Sequence, residues 1–406
     1  MKNMNGLPTT HPPWEMIFFQ KSPLPSETFG NPFWTTVWIE EDHDDLTKLK
    51  QEITPYEKEH KWEVLKKLSN PYELVYTHDT DKIPPSLAIQ KPLSRSFFKM
   101  IEMLEVSQFF QTLPKQTLGI RSAHVAEGPG GFIEALCDRV SHHKKKLSKA
   151  VAMTLRPTES NVPGWRKAFN FLKNHPEVVI HYGSDGTGDI YSIENQSSFL
   201  ELNAAKVHVF TADGGFDFSE DYSTQEQHVF PLLVASAKIG LQCLAQDGIF
   251  ILKMFDLFGK PTQYLIRLIT SCFKEWTLYK PATSRPCNSE RYLLCRGFRR
   301  CSSDVLSIIT NIESQYNSNR EYPDVSGSMG WTEKETFFLQ SHIQSFTKLQ
   351  CETIQRSFHY KDTSLNEYNW VDQIQNAHNW CSHFRIIDQL MLDPSKYKQY
   401  SYKKTY

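Results

Sequence analysis

The sequence is most informative first for what it lacks. Its 45 Lys and Arg against 46 Asp and Glu leave a formal charge of −1, so the chain as a whole exerts no strong field on a polyanion. Any surface for nucleic acid must therefore be local. The eight cysteines form no CxxC pair and no Cys/His zinc spacing. Cys287, Cys295 and Cys301 are clustered, but their separations do not suggest a metal site, and free thiols in a reducing compartment are expected. No apolar run approaches the length that crosses a bilayer, and the N-terminus has no basic stretch followed by an apolar one. An intracellular protein, cytoplasmic or nuclear, with no membrane partner is the expectation. Neither GxxxxGK[ST] nor GxGxxG occurs, which argues against a P-loop and against the common dinucleotide fingerprint. Internal repeats and long low-complexity tracts are also missing.

What is there is a regular centre between two less regular flanks. Residues 1 to about 90 read as irregular, with many prolines, an acidic run (Glu40, Glu41, Asp42, Asp44, Asp45) and an aromatic cluster (Phe33, Trp34, Trp38). A short amphipathic helix is expected at Trp62–Leu68. Over 94–104, SRSFFKMIEML spaces Phe97, Ile101 and Leu104 on one helical face, and Lys99 falls on the other side, facing solvent by periodicity. β-branched runs then alternate with helical segments: SAHVA (122–126), KAVAMTL (149–155), EVVIHY (177–182), KVHVFTA (206–212), GIFILKM (248–254), WTLYK (276–280) and RYLLC (291–295). Ser223-x-x-Glu226 reads as a capping box that opens a helix reaching about Ala245, and Pro261 as the first turn of the next one. Alternation of this kind implies an α/β fold, with a mostly parallel sheet covered by helices on both faces. Beyond Phe298 the chain turns polar and helical and ends in KYKQYSYKKTY.

The strongest chemical signal is HVAEGPGGFIEAL (124–136), where a strand runs into Glu127-Gly128-Pro129-Gly130-Gly131 and a helix follows from Phe132. Glycines there allow a ligand to approach the backbone, and the helix N-terminus presents unpaired N–H groups. A tight strand-to-helix turn with no ligand is the plain alternative. Three more features lie at strand ends: Asp213 in TADGG, Lys253 in FILKMFD, and Glu290 ahead of the last strand in SRPCNSERYLL. Singly, each has an ordinary explanation: a turn residue, a snorkelling lysine, a solvated loop charge. Lys253 stands out, because a charge inside IFILKMF is costly unless it is paired.

Together these residues match a pattern. From Arg95 to about Gly297 the chain resembles the FtsJ-like (RrmJ-type) RNA ribose 2′-O-methyltransferases, with a tone closer to the cap-methylating members of eukaryotes and large DNA viruses than to the bacterial ribosomal enzyme. The resemblance implies a Rossmann-like, doubly wound, mostly parallel seven-stranded methyltransferase sheet over 91–300, an irregular N-terminal extension (1–90) and a helical C-terminal extension (301–406). It implies S-adenosyl-L-methionine as cofactor and RNA, including capped mRNA, as partner, with protein partners open to the flanks and a virion or viral factory as a location if the source is viral. The family's Lys–Asp–Lys–Glu tetrad falls on Lys99, Asp213, Lys253 and Glu290. The cofactor loop falls on Glu127, Gly128, Pro129, Gly130, Gly131 and Phe132, joined by Thr154 in AMTLRP and by Asp213. Asp189 in GSDGTGDI is expected near the adenine, with Asp185 in reserve, and VPGW (162–165) has the flavour of the cap enzymes. Glu127 departs from the Asp that bacterial members often carry. No metal ligands are implied.

These roles make physical sense. A ribose hydroxyl is a poor nucleophile, so Lys253 would take or stabilise its proton. A lysine titrates near ~10.4 when free and would need burial and a second cation, Lys99, to bring it down. Asp213 and Glu290 would hold the two ammonium groups. For RNA contact, Arg285 and the Lys/Tyr tail are candidates, since tyrosines stack on bases while lysines meet phosphates. HHKKKLSK (142–149) reads instead as a basic helix end complementing its dipole. Phe33, Trp34 and Trp38 could stack on a methylated guanine or dock an N-terminal arm on the core. Two other readings stay open: a ribosomal or other RNA 2′-O-methyltransferase, and an inactive fold kept as an RNA-binding or partner subunit. Base methylation is disfavoured, because TADGG is not an NPPY-like motif.

Overall fold

In the computed structural model the described residues are 13–21, 29, 32–38, 43–77, 83–114, 117–157, 164–215, 224–325, 330–363, 365, 368–397 and 400. The strands are β1 (Phe19–Gln20), β2 (Phe33–Thr35), β3 (Ile120–Val125), β4 (Leu147–Met153), β5 (Val178–His181), β6 (Val207–Ala212), β7 (Leu244–Met254), β8 (Phe273–Tyr279), β9 (Arg291–Phe298) and β10 (Tyr322–Asp324). Eight of them form one sheet in the order β1-β8-β9-β7-β6-β3-β4-β5. Strands β3 to β7 run parallel, while β9 is inserted antiparallel between β7 and β8. The sheet thus has eight strands rather than the expected seven. The addition is β1, a two-residue edge strand from the stretch expected to be irregular, which pairs antiparallel with β8. Two residues are too few for a periodic signal.

The helices are α1 (Asp44–Lys58), α2 (Trp62–Leu68), α3 (Ser96–Val106), α4 (Phe109–Thr112), α5 (Gly131–His142), α6 (Phe169–Asn174), α7 (Ile193–Leu202), α8 (Gln225–Cys243), α9 (Lys260–Ser271), α10 (Ser303–Asn319), α11 (Glu333–His359), α12 (Val371–His383) and α13 (Gln389–Leu392). The α2 helix lies where its amphipathic pattern placed it. By contrast α1 was hidden by Pro55 near its end, although Leu46, Leu49 and Ile53 make a buried stripe and Asp44 and Asp45 suit its first turn. Pro261 opens α9 as expected. Ser223, and with it the expected capping box, lies outside the described residues; the Glu226 carboxylate accepts the N–H groups of Phe258 and Gly259 at 2.9 and 3.0 Å.

Strand residues alternate between the two faces of the sheet. Phe250, Leu252 and Met254 pack with α1 and α7 to α11, while Ile249 and Ile251 pack with α3, α5 and α12. Both flanks therefore share the hydrophobic clusters of the sheet. Lys253 continues the parity of Ile249 and Ile251, so it lies on the face that carries α3. Asp213 has the same parity as Val209 in β6, and Tyr292 of β9 belongs to that face too. Parity alone brings three polar residues to one side of one edge.

Candidate active site

Register sets the edge. Val125 pairs with Met153 and Ala212, and Ala212 pairs with Leu252, so the chain leaves β3, β4, β6 and β7 at one level. Strand order reverses at β3, which has β4 on one side and β6 on the other. Such a switch point leaves a crevice outside the carboxyl ends of the strands. Because β9 runs the opposite way, its beginning lies at this edge, and Lys253 pairs with Tyr292.

Lys99, Asp213, Lys253 and Glu290 come together here. The Lys99 ammonium sits 2.8 Å from Glu290 Oε2 and 2.7 Å from Oε1. Lys253 Nζ lies 3.4 Å from Glu290 Oε2 and 3.7 Å from Asp213 Oδ1. Ser284 donates to Glu290 Oε1 at 2.8 Å, and the Tyr292 hydroxyl donates to Asp213 Oδ1 at 2.8 Å. The solvent-facing expectation for Lys99 fails, since its side chain is 13% exposed. The α3 helix is buried on nearly every side, so the flank away from Phe97, Ile101 and Leu104 faces the crevice rather than water.

Burial alone would raise the Glu290 carboxyl. Lys99, then Lys253 and Lys280 overcome that and hold it well below the carboxylate range. Lys253 behaves opposite to expectation. Burial would lower its ammonium, but Asp213 and Glu290 outweigh burial, and the group is raised. The contrary expectation placed Lys99 as a depressing charge; instead Glu290 pairs with Lys99 and still reaches Lys253.

The glycine turn occupies the neighbouring part of the edge. Gly130 has φ +102°, and a Cβ there would come within 2.9 Å of the Trp165 ring. Gly131 begins α5, whose first N–H groups have no intrahelical acceptor. The Phe132 side chain is buried, so only its backbone is available to a ligand. Glu127 is buried as well. Thr211 donates to its Oε1, His124 Nδ1 bonds Thr211 Oγ1 at 2.7 Å, and His124 Nε2 meets Ser122 Oγ at 2.8 Å. His124 Nδ1 is 3.2 Å from Glu127 Oε2 without making a hydrogen bond to it, leaving Oε2 unpartnered; Trp165 Nε1 is also buried without a partner. Burial raises the Glu127 carboxyl despite His124 and Thr211.

The two acidic candidates after β5 separate. Asp185 Oδ1 is used by its own loop, accepting from Thr187 N, Thr187 Oγ1 and Asn195 Nδ2 at 2.8, 2.7 and 2.9 Å. Half-buried Asp189 accepts the Tyr191 N–H at 2.8 Å through Oδ1. Thr154 is buried against Gly188 of that loop.

Other candidates fall elsewhere. Arg285 is committed to Glu73, with contacts of 3.0 and 2.9 Å, and Arg95 reaches the same carboxylate at 3.2 Å. Burial opposes ionisation of Glu73, but Arg95 and Arg285 hold it down to about 2. Arg285 is thus a structural partner rather than a free phosphate contact. Trp38 packs edge-on against Phe230 and Tyr322, and β2 pairs with β10, so the Phe33–Trp38 segment docks an arm on the core. Tyr397 is buried and donates to Ser86 O at 3.1 Å; 398, 399 and 401–406 of the tail lie outside the described residues, as do Val162 and Pro163. Cys137, His175 and Glu177 bring ligand atoms within 4.8 Å of one another, a grouping no sequence spacing shows, with His175 Nδ1 bonded to Glu177 at 2.9 Å. Sequence reasoning missed His124, Ser284, Tyr292 and Lys280, whose roles depend on neighbours distant in the chain.

This fold and edge are those of a methyltransferase. A profile of the FtsJ-like methyltransferases matches residues 92–298, just over half of the chain, and the chain belongs to that family. Among curated relatives, the cap-specific mRNA (nucleoside-2′-O-)-methyltransferase 1 of Xenopus laevis is 34% identical over 248 residues, covering 56% of this chain and 28% of the relative. Methyltransferase 2 of the same description from Danio rerio is 32% identical over 274 residues, 62% and 35% respectively. The Trypanosoma cruzi methyltransferase 1 is 33% identical over 213 residues, 50% and 56%. The chain therefore spans about a third or less of the two vertebrate relatives. A solved ribosomal RNA methyltransferase from Plasmodium falciparum covers 51% of this chain and 98% of its own at 16% identity and TM-score 0.35, a likeness too slight to carry an argument. No helix among the described residues is long and apolar enough to cross a membrane.

Proposed function

We propose that this chain transfers a methyl group from S-adenosylmethionine to a ribose 2′-hydroxyl of RNA, at the cap-proximal nucleotide of mRNA. The observation that carries the reading is the meeting of Lys99, Asp213, Lys253 and Glu290 beside the glycine turn. The relatives are cap-specific mRNA (nucleoside-2′-O-)-methyltransferases, which supports the cap assignment.

The residues at the turn fit the cofactor. Gly130 leaves room, α5 offers its first N–H groups, and two buried polar atoms, Glu127 Oε2 and Trp165 Nε1, have no hydrogen-bond partner there. Asp189 is the acidic residue we assign to the adenosine, and Thr154 lies against Gly188 of the same loop. When bound, the cofactor supplies an electrophilic methyl group on a sulfonium. Lys253 enters the reaction charged, because Asp213 and Glu290 raise it. As the ribose O–CH3 bond forms and the sulfonium bond to that methyl breaks, the hydroxyl proton must pass to a base; Lys253 would take it after releasing one ammonium proton to solvent, and the regenerated ammonium would hold the ribose oxygen. Lys99 adds positive charge and Glu290 holds both lysines, while Tyr292 steadies Asp213. Fixing the oxygen in line with methyl and sulfur supplies much of the remaining acceleration.

The test is transfer of labelled methyl to RNAs that differ only in the 5′ cap. Transfer to the capped RNA is expected. Equal transfer to both, or transfer confined to folded ribosomal fragments, would remove the cap assignment and leave the 2′-O-methyltransferase reading.

A further inference from the structure

Lys280 follows β8 directly and faces Glu290 across the hairpin that leads into β9. Its ammonium donates to the carbonyl oxygens of Glu290 at 2.6 Å and Asn288 at 2.9 Å, and to Asn288 Oδ1 at 2.7 Å. Ser284 Oγ lies 3.4 Å away. Asn288 Oδ1 also accepts the Glu290 N–H at 3.2 Å, and Ser284 Oγ donates to Glu290 Oε1. All these contacts close on the segment that presents Glu290. Among the described residues no carboxylate oxygen forms an ion pair with Lys280, unlike Lys99 and Lys253, which share the carboxylate it supports.

We propose that Lys280 is a positioning residue for methyl transfer: its ammonium group holds the Asn288–Glu290 backbone and thereby fixes the Glu290 carboxylate between Lys99 and Lys253. An ammonium has three hydrogens for the oxygens around it. A neutral amine has two, and turns a lone pair toward an oxygen. The charged groups that act on Lys280 are Glu290, Arg291 and Lys99, together with the Cys287 thiol. Burial, against the pull of Glu290 and with help from Arg291 and Lys99, pushes Lys280 down to about 7. Its grip on the hairpin is therefore full below that pH and loosens above it.

The inference rests on the methyltransferase reading, and wild-type turnover measured alongside tests that reading separately. Lys280→Met keeps the stem and removes the ammonium. Its kcat is expected to fall about 100-fold, the scale of a small misplacement at a reacting centre, while KM for cofactor and RNA stays within about twofold. Lys280→Arg keeps the charge at every working pH, so the ratio of its kcat to that of wild type rises as pH passes through about 7. Near-normal turnover in folded Lys280→Met overturns the proposal. So does a ratio flat with pH, which marks a purely structural role, and if Lys280→Met does not fold this ratio alone decides. If wild type transfers no methyl group, the reading fails, and the 15N resonance of Lys253 Nζ decides instead: it shifts in Lys280→Arg as pH rises differently from wild type if Glu290 is held by Lys280, and identically if it is not.

Discussion

The two halves of the crevice are built from different materials. The glycine turn is made by backbone shape over a few consecutive residues, with Gly130 at positive φ against Trp165 and α5 starting at once. The acceptor side is made by charge, drawn from α3, the ends of β6 and β7, and the hairpin before β9. One is a cradle that contact geometry defines. The other is a balance among two carboxylates and three lysines, and moving any one of them resets the rest. The difference teaches that damage to the cradle should appear in binding, and damage to the ion cluster in turnover.

The largest effect that would sharpen this division is expected for Lys253→Ala. Loss of the group that meets the ribose oxygen should lower kcat by up to about 10⁴-fold, with cofactor affinity by calorimetry close to that of wild type. Comparable losses in both would erase the distinction. Gly130→Arg is the converse. A side chain at φ +102° is strained and runs into Trp165, so cofactor binding should weaken about 100-fold or more. Unchanged binding would mean that the ligand lies elsewhere.

Legibility in the sequence follows the same division. The turn was readable because EGPGGF is contiguous and its chemistry is local. The strands were readable from period and length, as in GIFILKM. Asp213, Lys253 and Glu290 stood out at strand ends, but only the resemblance joined them with Lys99 into a tetrad, and its electrostatics could not be read. Whether Lys253 is lowered or raised depends on Asp213 and Glu290, which lie 40 and 37 positions away along the chain (253 − 213 and 290 − 253). Arg285 looked free for RNA because Glu73, its partner, lies in a region with little periodicity. Lys99 looked exposed because periodicity cannot tell a crevice from solvent.

The smallest expected effect concerns the Glu73 carboxylate that Arg95 and Arg285 share. Glu73→Gln keeps the shape but removes the charge between Arg95 and Arg285, and should cost on the order of 2 kcal/mol of stability in denaturant unfolding at neutral pH. The sign in acid follows from a carboxyl lowered from 4.5 to about 2: its stabilisation is complete above pH 4.5 and is lost as pH falls toward 2. The gap between wild type and Glu73→Gln should therefore close through that window. A gap constant with pH would show that the contribution is packing rather than charge.

The short first strand has a consequence for solubility. By pairing Phe19 and Gln20 with Trp276 and Glu275, and with Lys21 N–H donating to Lys274 O at 2.8 Å, it covers part of the outer rim of β8. A bare rim is a row of unpaired donors and acceptors, and such rows recruit further strands from other molecules. A chain lacking only residues 1–21 would keep every residue of the tetrad yet uncover that rim, and would be expected to self-associate through β8.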